Sequence, residues 1–190
     1  MLKRIAAAAL VIVAVVVGLA LTQPDTFRVQ RSVVIAAPPA RVFAYLNDFH
    51  RWPAWSPWEQ LDPAMRRTYS GAAAGQGATY AFSGNHDVGE GRMQIVESTP
   101  AVLVAVRLHF YEPIDSEGDT RFELRPHGTG TEVTWTMSGD SPFLIRVMGV
   151  FSSMDSMVGP DFEEGLARLK TAAERDTPTP APTPAQTRAP

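Results

Sequence analysis

Apolar and polar residues alternate with a period of two over much of the chain from Thr26 to Gly139, and from Pro142 onward the spacing changes to three and four. Alternation sends successive side chains to opposite faces, so each such run predicts a half-buried β-strand. The stretch Thr26–Ala37 is rich in β-branched residues and stops at Pro38-Pro39, where Pro39 suits a first helical turn. Pro39–Asn47 carries Val42, Phe43 and Leu46 at helical spacing and predicts one short helix. In Ala101–Tyr111, Val102, Val104, Val106, Leu108 and Phe110 form an inward set, opposite Leu103, Ala105, Arg107, His109 and Tyr111. The same reading turns Tyr80, Phe82, Met93, Ile95, Phe122, Leu124, Val133, Trp135 and Met137 inward. Turn-forming clusters at Ser83–Asp87, Ser98–Pro100, Asp115–Asp119 and Pro126–Gly130 separate these runs. Such short connections require antiparallel neighbours, which predicts a meander of five or six strands with the first strand joined at one edge.

After Pro142, Phe143, Val147, Val150, Phe151, Met154 and Val158 are followed by Phe162, Leu166, Leu169 and Ala173, with Gly159-Pro160 between them. This predicts a long terminal helix kinked near Pro160, whose apolar face needs a sheet to cover it. The pattern as a whole predicts an α+β fold, a curved antiparallel sheet wrapped around a long C-terminal helix.

The two ends differ from this body. Ile5–Leu21 is an unbroken run of seventeen apolar or glycine residues, about 26 Å long as a helix. It reads as a retained membrane anchor in preference to a cleaved signal segment, for which Gly18 and Ala20 supply small residues. On either reading Lys3 and Arg4 stay cytoplasmic, and the domain is membrane-anchored on the extracytoplasmic side or, after cleavage, exported. Asp176–Pro190 is rich in Pro, Thr and Ala, has no large apolar residue and is expected to be a disordered tail. The expected organisation is therefore an N-terminal anchor or signal segment over 1–23, one domain over 24–175 and a tail over 176–190.

Seventeen Lys and Arg against twenty Asp and Glu give a formal net charge of −3, with no basic stretch past the first residues to follow a phosphate backbone. Nucleic acid is not an expected partner. The absence of cysteine excludes disulfides, zinc–thiolate sites, iron–sulfur clusters and cysteine nucleophiles. His50, His86, His109 and His127 are scattered without helical metal-site spacing, and they read as surface or turn residues. Gly71–Gly77 lacks the Lys-Ser/Thr ending of a phosphate loop and reads as a turn between strands. Gly139–Phe143 is no nucleophile elbow and reads as a helix start, with Ser141 as the cap. Asp155, Asp161, Glu163 and Glu164 fall off the apolar stripe and read as a solvated face. Tyr69, Tyr80 and Glu112 are left as candidates for a polar group in a cavity. No catalytic residue, metal or cofactor is assigned.

The order strand, two short helices, meander and long C-terminal helix resembles the helix-grip fold of the START-like superfamily, in particular the bacterial SRPBCC proteins of the polyketide cyclase/dehydrase and lipid-transport type. The resemblance covers Thr26 to Glu174. It is carried by "RSVVIAAPPARVFAYLNDFHRWPAWSPWE", "GEGRMQIVESTP", "TRFELRPHGTGTEVTWTMSG" and "GPDFEEGLARLK". It implies a hydrophobic cavity between the concave face of the sheet and the long helix, in a superfamily that binds lipids, sterols, hormones or polyketides and includes some cyclases and dehydratases. Expected walls are Tyr80, Phe82, Met93, Leu108, Phe110, Trp135 and Met137 from the sheet, with Met148, Phe151 and Met154 from the helix. Trp52, Trp55 and Trp58, three residues apart with Pro53 and Pro57 between them, suit a 3₁₀-like turn that puts all three indoles on one side. They read as packing first, then as a lid in which Trp55 and Trp58 contact ligand, then as a membrane foot. The expectation is a hydrophobic small molecule, lipid-like or polyketide-like, bound or transported in the cavity, with the membrane a second partner through residues 5–21. A cyclase/dehydratase-like enzyme and a ligand-free interaction module are the alternatives.

Overall fold

The computed structural model describes residues 1–175, and the segment 176–190 expected to be disordered lies outside the described residues. Helix α1 (Leu2–Thr22) leads through a short link into β1 (Thr26–Ile35), α2 (Pro39–Leu46) and two 3₁₀ turns, Phe49–Ala54 and Pro57–Gln60. The meander follows as β2 (Arg66–Gly71), β3 (Ala78–Ser83), β4 (Glu90–Thr99), β5 (Leu103–Glu112), β6 (Ser116–His127) and β7 (Gly130–Asp140). Helices α3 (Phe143–Gly149) and α4 (Met154–Arg175) complete the described chain.

All seven strands form one antiparallel sheet in the order β1-β7-β6-β5-β4-β3-β2, so the meander is continuous and β1 closes its far edge against β7. The sheet is curved, and register shifts in the β4–β5 ladder near Gly91 and Glu97 contribute to its bend. Its inner face buries Ile95, Val104, Val106, Phe122, Leu124, Val133 and Trp135, as the alternation predicts. Ala105 is buried on the outer face, where its ladder partners Glu97 and Arg121 meet as an ion pair across it.

Helix α4 lies against β1 and the concave face, burying Phe162, Leu166, Leu169 and Ala173 on one stripe. Burying each large apolar side chain contributes roughly 1.5–3 kcal/mol. The helix is pinned to the end of β1 by polar contacts: Lys170 Nζ donates to the Val34 carbonyl (2.7 Å) and the Ala36 N–H donates to the Glu174 carboxylate (2.7 Å). Gly165 lets Trp135 and Pro57 approach, since a β-carbon there would stand 2.9 Å from Trp135 Cζ3 and 3.2 Å from Pro57 Cδ.

Several expectations are corrected. The terminal helix is not one element kinked at Pro160: it breaks over residues 150–153, and α4 runs through Pro160 near its start. Ser153 caps this second start, its hydroxyl accepting from the Ser156 N–H at 3.1 Å. Ser141 does not cap α3; Pro142 holds that position, and the Ser141 N–H instead donates to the Asp25 carbonyl at 2.7 Å. Val102 does not face the core but is 53% exposed, because β5 starts only at Leu103 and Val102 belongs to the reversal that bonds back to Thr99. Strand β6 starts at Ser116, so the turn before it is shorter than Asp115–Asp119. Asp155 and Glu163 are exposed, in keeping with the solvated face expected of them, and both pair with Arg31 of β1.

Candidate functional site

Between the concave face of the sheet, the 3₁₀ turns, α3 and the start of α4 lies a cavity of about 690 Å³. This is within the roughly 300–1,000 Å³ typical of small-molecule sites. Its wall is mainly apolar. Phe82, Met93, Val106, Leu108, Phe110, Trp135 and Met137 come from β3, β4, β5 and β7, while Met148 and Met154 come from the two last helices. Methionine and aromatic side chains together make a wall that can adjust to ligand shape. The cavity reaches exposed residues at Pro24 after α1, Met148 of α3 and Ser152, Ser153, Asp155 and Met157 around the start of α4, and also at His86, Asp87, Pro113 and Glu117 in and beside the strand turns.

Of the twelve residues expected to contact a ligand, Trp58, Tyr80, Phe82, Met93, Leu108, Phe110, Trp135, Met137, Met148 and Met154 line this cavity. Trp55 does not. It is fully buried behind the wall, in edge contact with Phe122 and Trp135. Phe151 is also away from the cavity and 75% exposed, because the helix break at 150–153 turns it outward. Trp52, Val106, Thr120 and Phe162 line the cavity without having been singled out as contacts.

In the tryptophan segment Trp52 and Trp55 are buried as packing, while Trp58 is half-buried on the cavity wall. The Trp52 indole N–H donates to the Leu46 carbonyl (3.2 Å) and that of Trp55 to the Tyr45 carbonyl (3.3 Å). Both acceptors are in the last turn of α2, whose carbonyls have no partner within the helix, so the indoles close that helix end. Trp58 is half-buried against Trp135 and Phe162. Trp135 stacks on Phe162 at 4.0 Å, and among the described residues its buried indole N–H has no hydrogen-bond partner.

One polar cluster interrupts the apolar wall, and it was missed in the sequence except for its tyrosines. Glu59, held in the second 3₁₀ turn, is only 8% exposed and lines the cavity beside Tyr80. The Tyr80 hydroxyl donates to Glu59 Oε1 at 2.5 Å, and Arg67 Nε donates to Oε2 at 2.7 Å. Arg67 also donates to the carbonyls of Glu59 (3.1 Å) and Met65 (3.0 Å). The carboxylate thus has a neutral donor on one oxygen and a cation on the other, which is what a buried charge needs. Burial, with the bond to Glu59 as the next cause, pushes the Tyr80 phenol well above its usual range. Burial raises Tyr69 as well, and its hydrogen bond to Glu59 raises the Arg67 guanidinium. Tyr69 stacks on Tyr80 (5.1 Å) and His50 on Tyr69 (4.1 Å), which continues the cluster to the surface. Glu112 is exposed and not part of it.

The cavity can therefore enclose an apolar body and offer hydrogen-bond groups at one place. With its phenol held protonated, Tyr80 acts as a donor and acceptor of hydrogen bonds and not as a base at neutral pH. Among the described residues no group of three His, Cys, Asp or Glu is gathered to hold a metal.

A family model described as polyketide cyclase/dehydrase and lipid transport matches residues 26–174. No curated protein matches the chain. Among solved structures, the di-domain ARO/CYC StfQ from the steffimycin biosynthetic pathway is similar with a TM-score of 0.62 at 12% identity, over 79% of this chain and 51% of that one. A hypothetical protein, jhp0584 from Helicobacter pylori, is similar with a TM-score of 0.60 at 10% identity, over 80% of this chain and 90% of that one. Protein MLL2253 from Mesorhizobium loti is similar with a TM-score of 0.57 at 18% identity, over 80% of this chain and all (100%) of that one. At these identities the likenesses speak for the fold alone.

Proposed function

Because the chain belongs to the polyketide cyclase/dehydrase and lipid transport family, we propose that it binds or carries a hydrophobic small molecule in the cavity between its sheet and its C-terminal helix. The observation that carries this reading is the cavity itself, about 690 Å³ of space walled by Phe, Met, Leu and Trp side chains. A ligand-free interaction module has no use for such a void, since a filled core is more stable by the packing it gains. The Glu59–Tyr80 pair serves as the polar anchor that orients one end of the ligand. Helix α1, with mean hydropathy 2.8 over Lys3–Thr22, is long and apolar enough to cross a membrane. It keeps the carrier at the bilayer, with the domain on the side away from Lys3 and Arg4.

The test is native mass spectrometry with lipid extraction on the full chain purified from membranes in mild detergent. A reproducible co-purified apolar compound supports the carrier reading. A protein that arrives empty and also fails to bind fluorescent fatty-acid and sterol probes overturns it.

A second reading, a cyclase- or dehydratase-like enzyme, is favoured by one observation, the carboxylate–phenol pair facing an apolar cavity. Its signature is loss of turnover of the co-purified compound class in Tyr80→Phe while binding is retained.

A further inference from the structure

Helix α3 contributes no fully buried residue, yet Ile145, Arg146, Met148 and Gly149 line the cavity where it reaches the surface. Leu144 (54% exposed) stands out from α3, and Phe151 (75%) from the break that follows it. Phe143 is 45% exposed beside them. An outward patch of this kind on a short helix costs solvation unless something apolar covers it.

The position of α1 says what covers it. The principal contact of α1 with the rest of the fold is with α3, and among its described side chains those withdrawn from solvent are Val16 and Ala20, one turn apart near its end. With Thr22 at the edge of the hydrocarbon, a rise of about 1.5 Å per residue puts Ala20 roughly 3 Å and Val16 roughly 9 Å below it. A helix against these residues lies just inside the acyl boundary, within the roughly 5–10 Å to which amphipathic helices bury their apolar faces. The link of residues 23–25 is too short to lift the domain away. Arg146 adds a cation to this region: it is half-buried, with its guanidinium 5.9 Å from the Phe143 ring, and a cation near an interface is drawn to anionic lipid.

We propose that α3 and the adjoining Phe151 are embedded in the bilayer surface beside α1, so that the cavity opens at α3 onto lipid and not onto water. This rests on α1 being a retained span and on the cavity being a ligand site. It goes beyond both in fixing the face of the domain that meets the membrane and the route by which an apolar ligand enters.

The chain has no cysteine, so each introduced thiol can be labelled alone. The full chain is reconstituted in vesicles of equal parts phosphatidylcholine and phosphatidylglycerol, and an environment-sensitive dye is placed on Leu144→Cys, Phe151→Cys, Ile12→Cys or Val102→Cys. All four positions are exposed, so none disturbs the core. The expected result is blue-shifted emission at 144 and 151, lost when lipids carrying a doxyl quencher near the headgroup are included, quenching at 12 by doxyl placed near the end of the acyl chain, and the dye at 102 in water throughout. A quenched dye at 12 with unquenched dyes at 144 and 151 overturns the inference and leaves the anchor standing. Quenching at 102 equal to that at 144 overturns it too. An unquenched dye at 12 removes the anchor and this inference together, and ligand extraction then tests the cavity on its own.

Discussion

Arg67→Met removes the cation from Glu59 while keeping an apolar stem of similar reach. The Glu59 side chain is 4% exposed and that of Arg67 25%, so the carboxylate stays where water cannot replace the lost partner, with only the Tyr80 hydroxyl still donating to it. Breaking a buried pair by deleting one partner costs about 3–5 kcal/mol. Partial exposure of Arg67 puts this case at the lower end, about 3 kcal/mol. For a domain of this size each kcal/mol moves Tm by about 2–4 °C, so the variant should melt roughly 6–12 °C below the parent at neutral pH. The double variant Glu59→Gln/Arg67→Met removes the charge as well as its partner and should recover most of the loss. Thermal melts of the parent and both variants, followed by circular dichroism at neutral pH, read the loss and its recovery. A deficit under about 1 kcal/mol in the single variant, the value of an exposed pair, would refute a buried, charged Glu59.

Tyr80→Phe removes the donor to Glu59 and should cost about 1–3 kcal/mol. Since burial and Glu59 raise the Tyr80 phenol, the stabilisation tied to its proton is fully present below about pH 10 and is lost as pH climbs above that. An alkaline absorbance titration should accordingly lose a late-titrating phenol in the variant. Gly165→Val places side-chain atoms where Trp135 and Pro57 already sit and should lower stability by about 1–3 kcal/mol, read as a lower Tm with altered tryptophan emission. Met137→Trp, on the cavity wall and only half-buried, should keep the Tm near that of the parent while weakening probe binding at least tenfold. Unchanged probe affinity would put the ligand elsewhere.

The strands were legible because one face of the sheet is buried and the other is not, which writes a period of two into residues such as Val104, Val106 and Leu108. The same alternation pointed to most of the cavity wall. It failed where a residue's surroundings depend on chain reversals: Val102 continues the pattern of its strand but falls in the turn before it. The helix break escaped notice because the apolar spacing runs straight through residues 150–153, while α4 continues through the conspicuous Gly159-Pro160 and forgoes only the backbone bond that Pro160 cannot donate. Glu59 and Arg67 meet only through the fold, one from a 3₁₀ turn and one from β2, at a spacing that belongs to no regular element. The available signal was an acidic residue inside the most aromatic segment of the chain, where a charge is costly unless a partner arrives. The void came only through the family resemblance and not from the residue pattern, since the same apolar side chains can line a cavity or fill it.

All four tryptophans of the chain belong to one contiguous group, Trp52 to Trp55 at 4.9 Å, Trp55 to Trp135 at 5.5 Å and Trp135 to Trp58 at 5.8 Å between ring centres. Rings this close share excitation energy, so light absorbed by the buried Trp55 can be emitted or quenched at Trp58 on the cavity wall. The protein consequently carries its own optical reporter: a molecule settling against one indole alters the emission of the whole set, and occupancy can be followed in the unmodified chain without a dye.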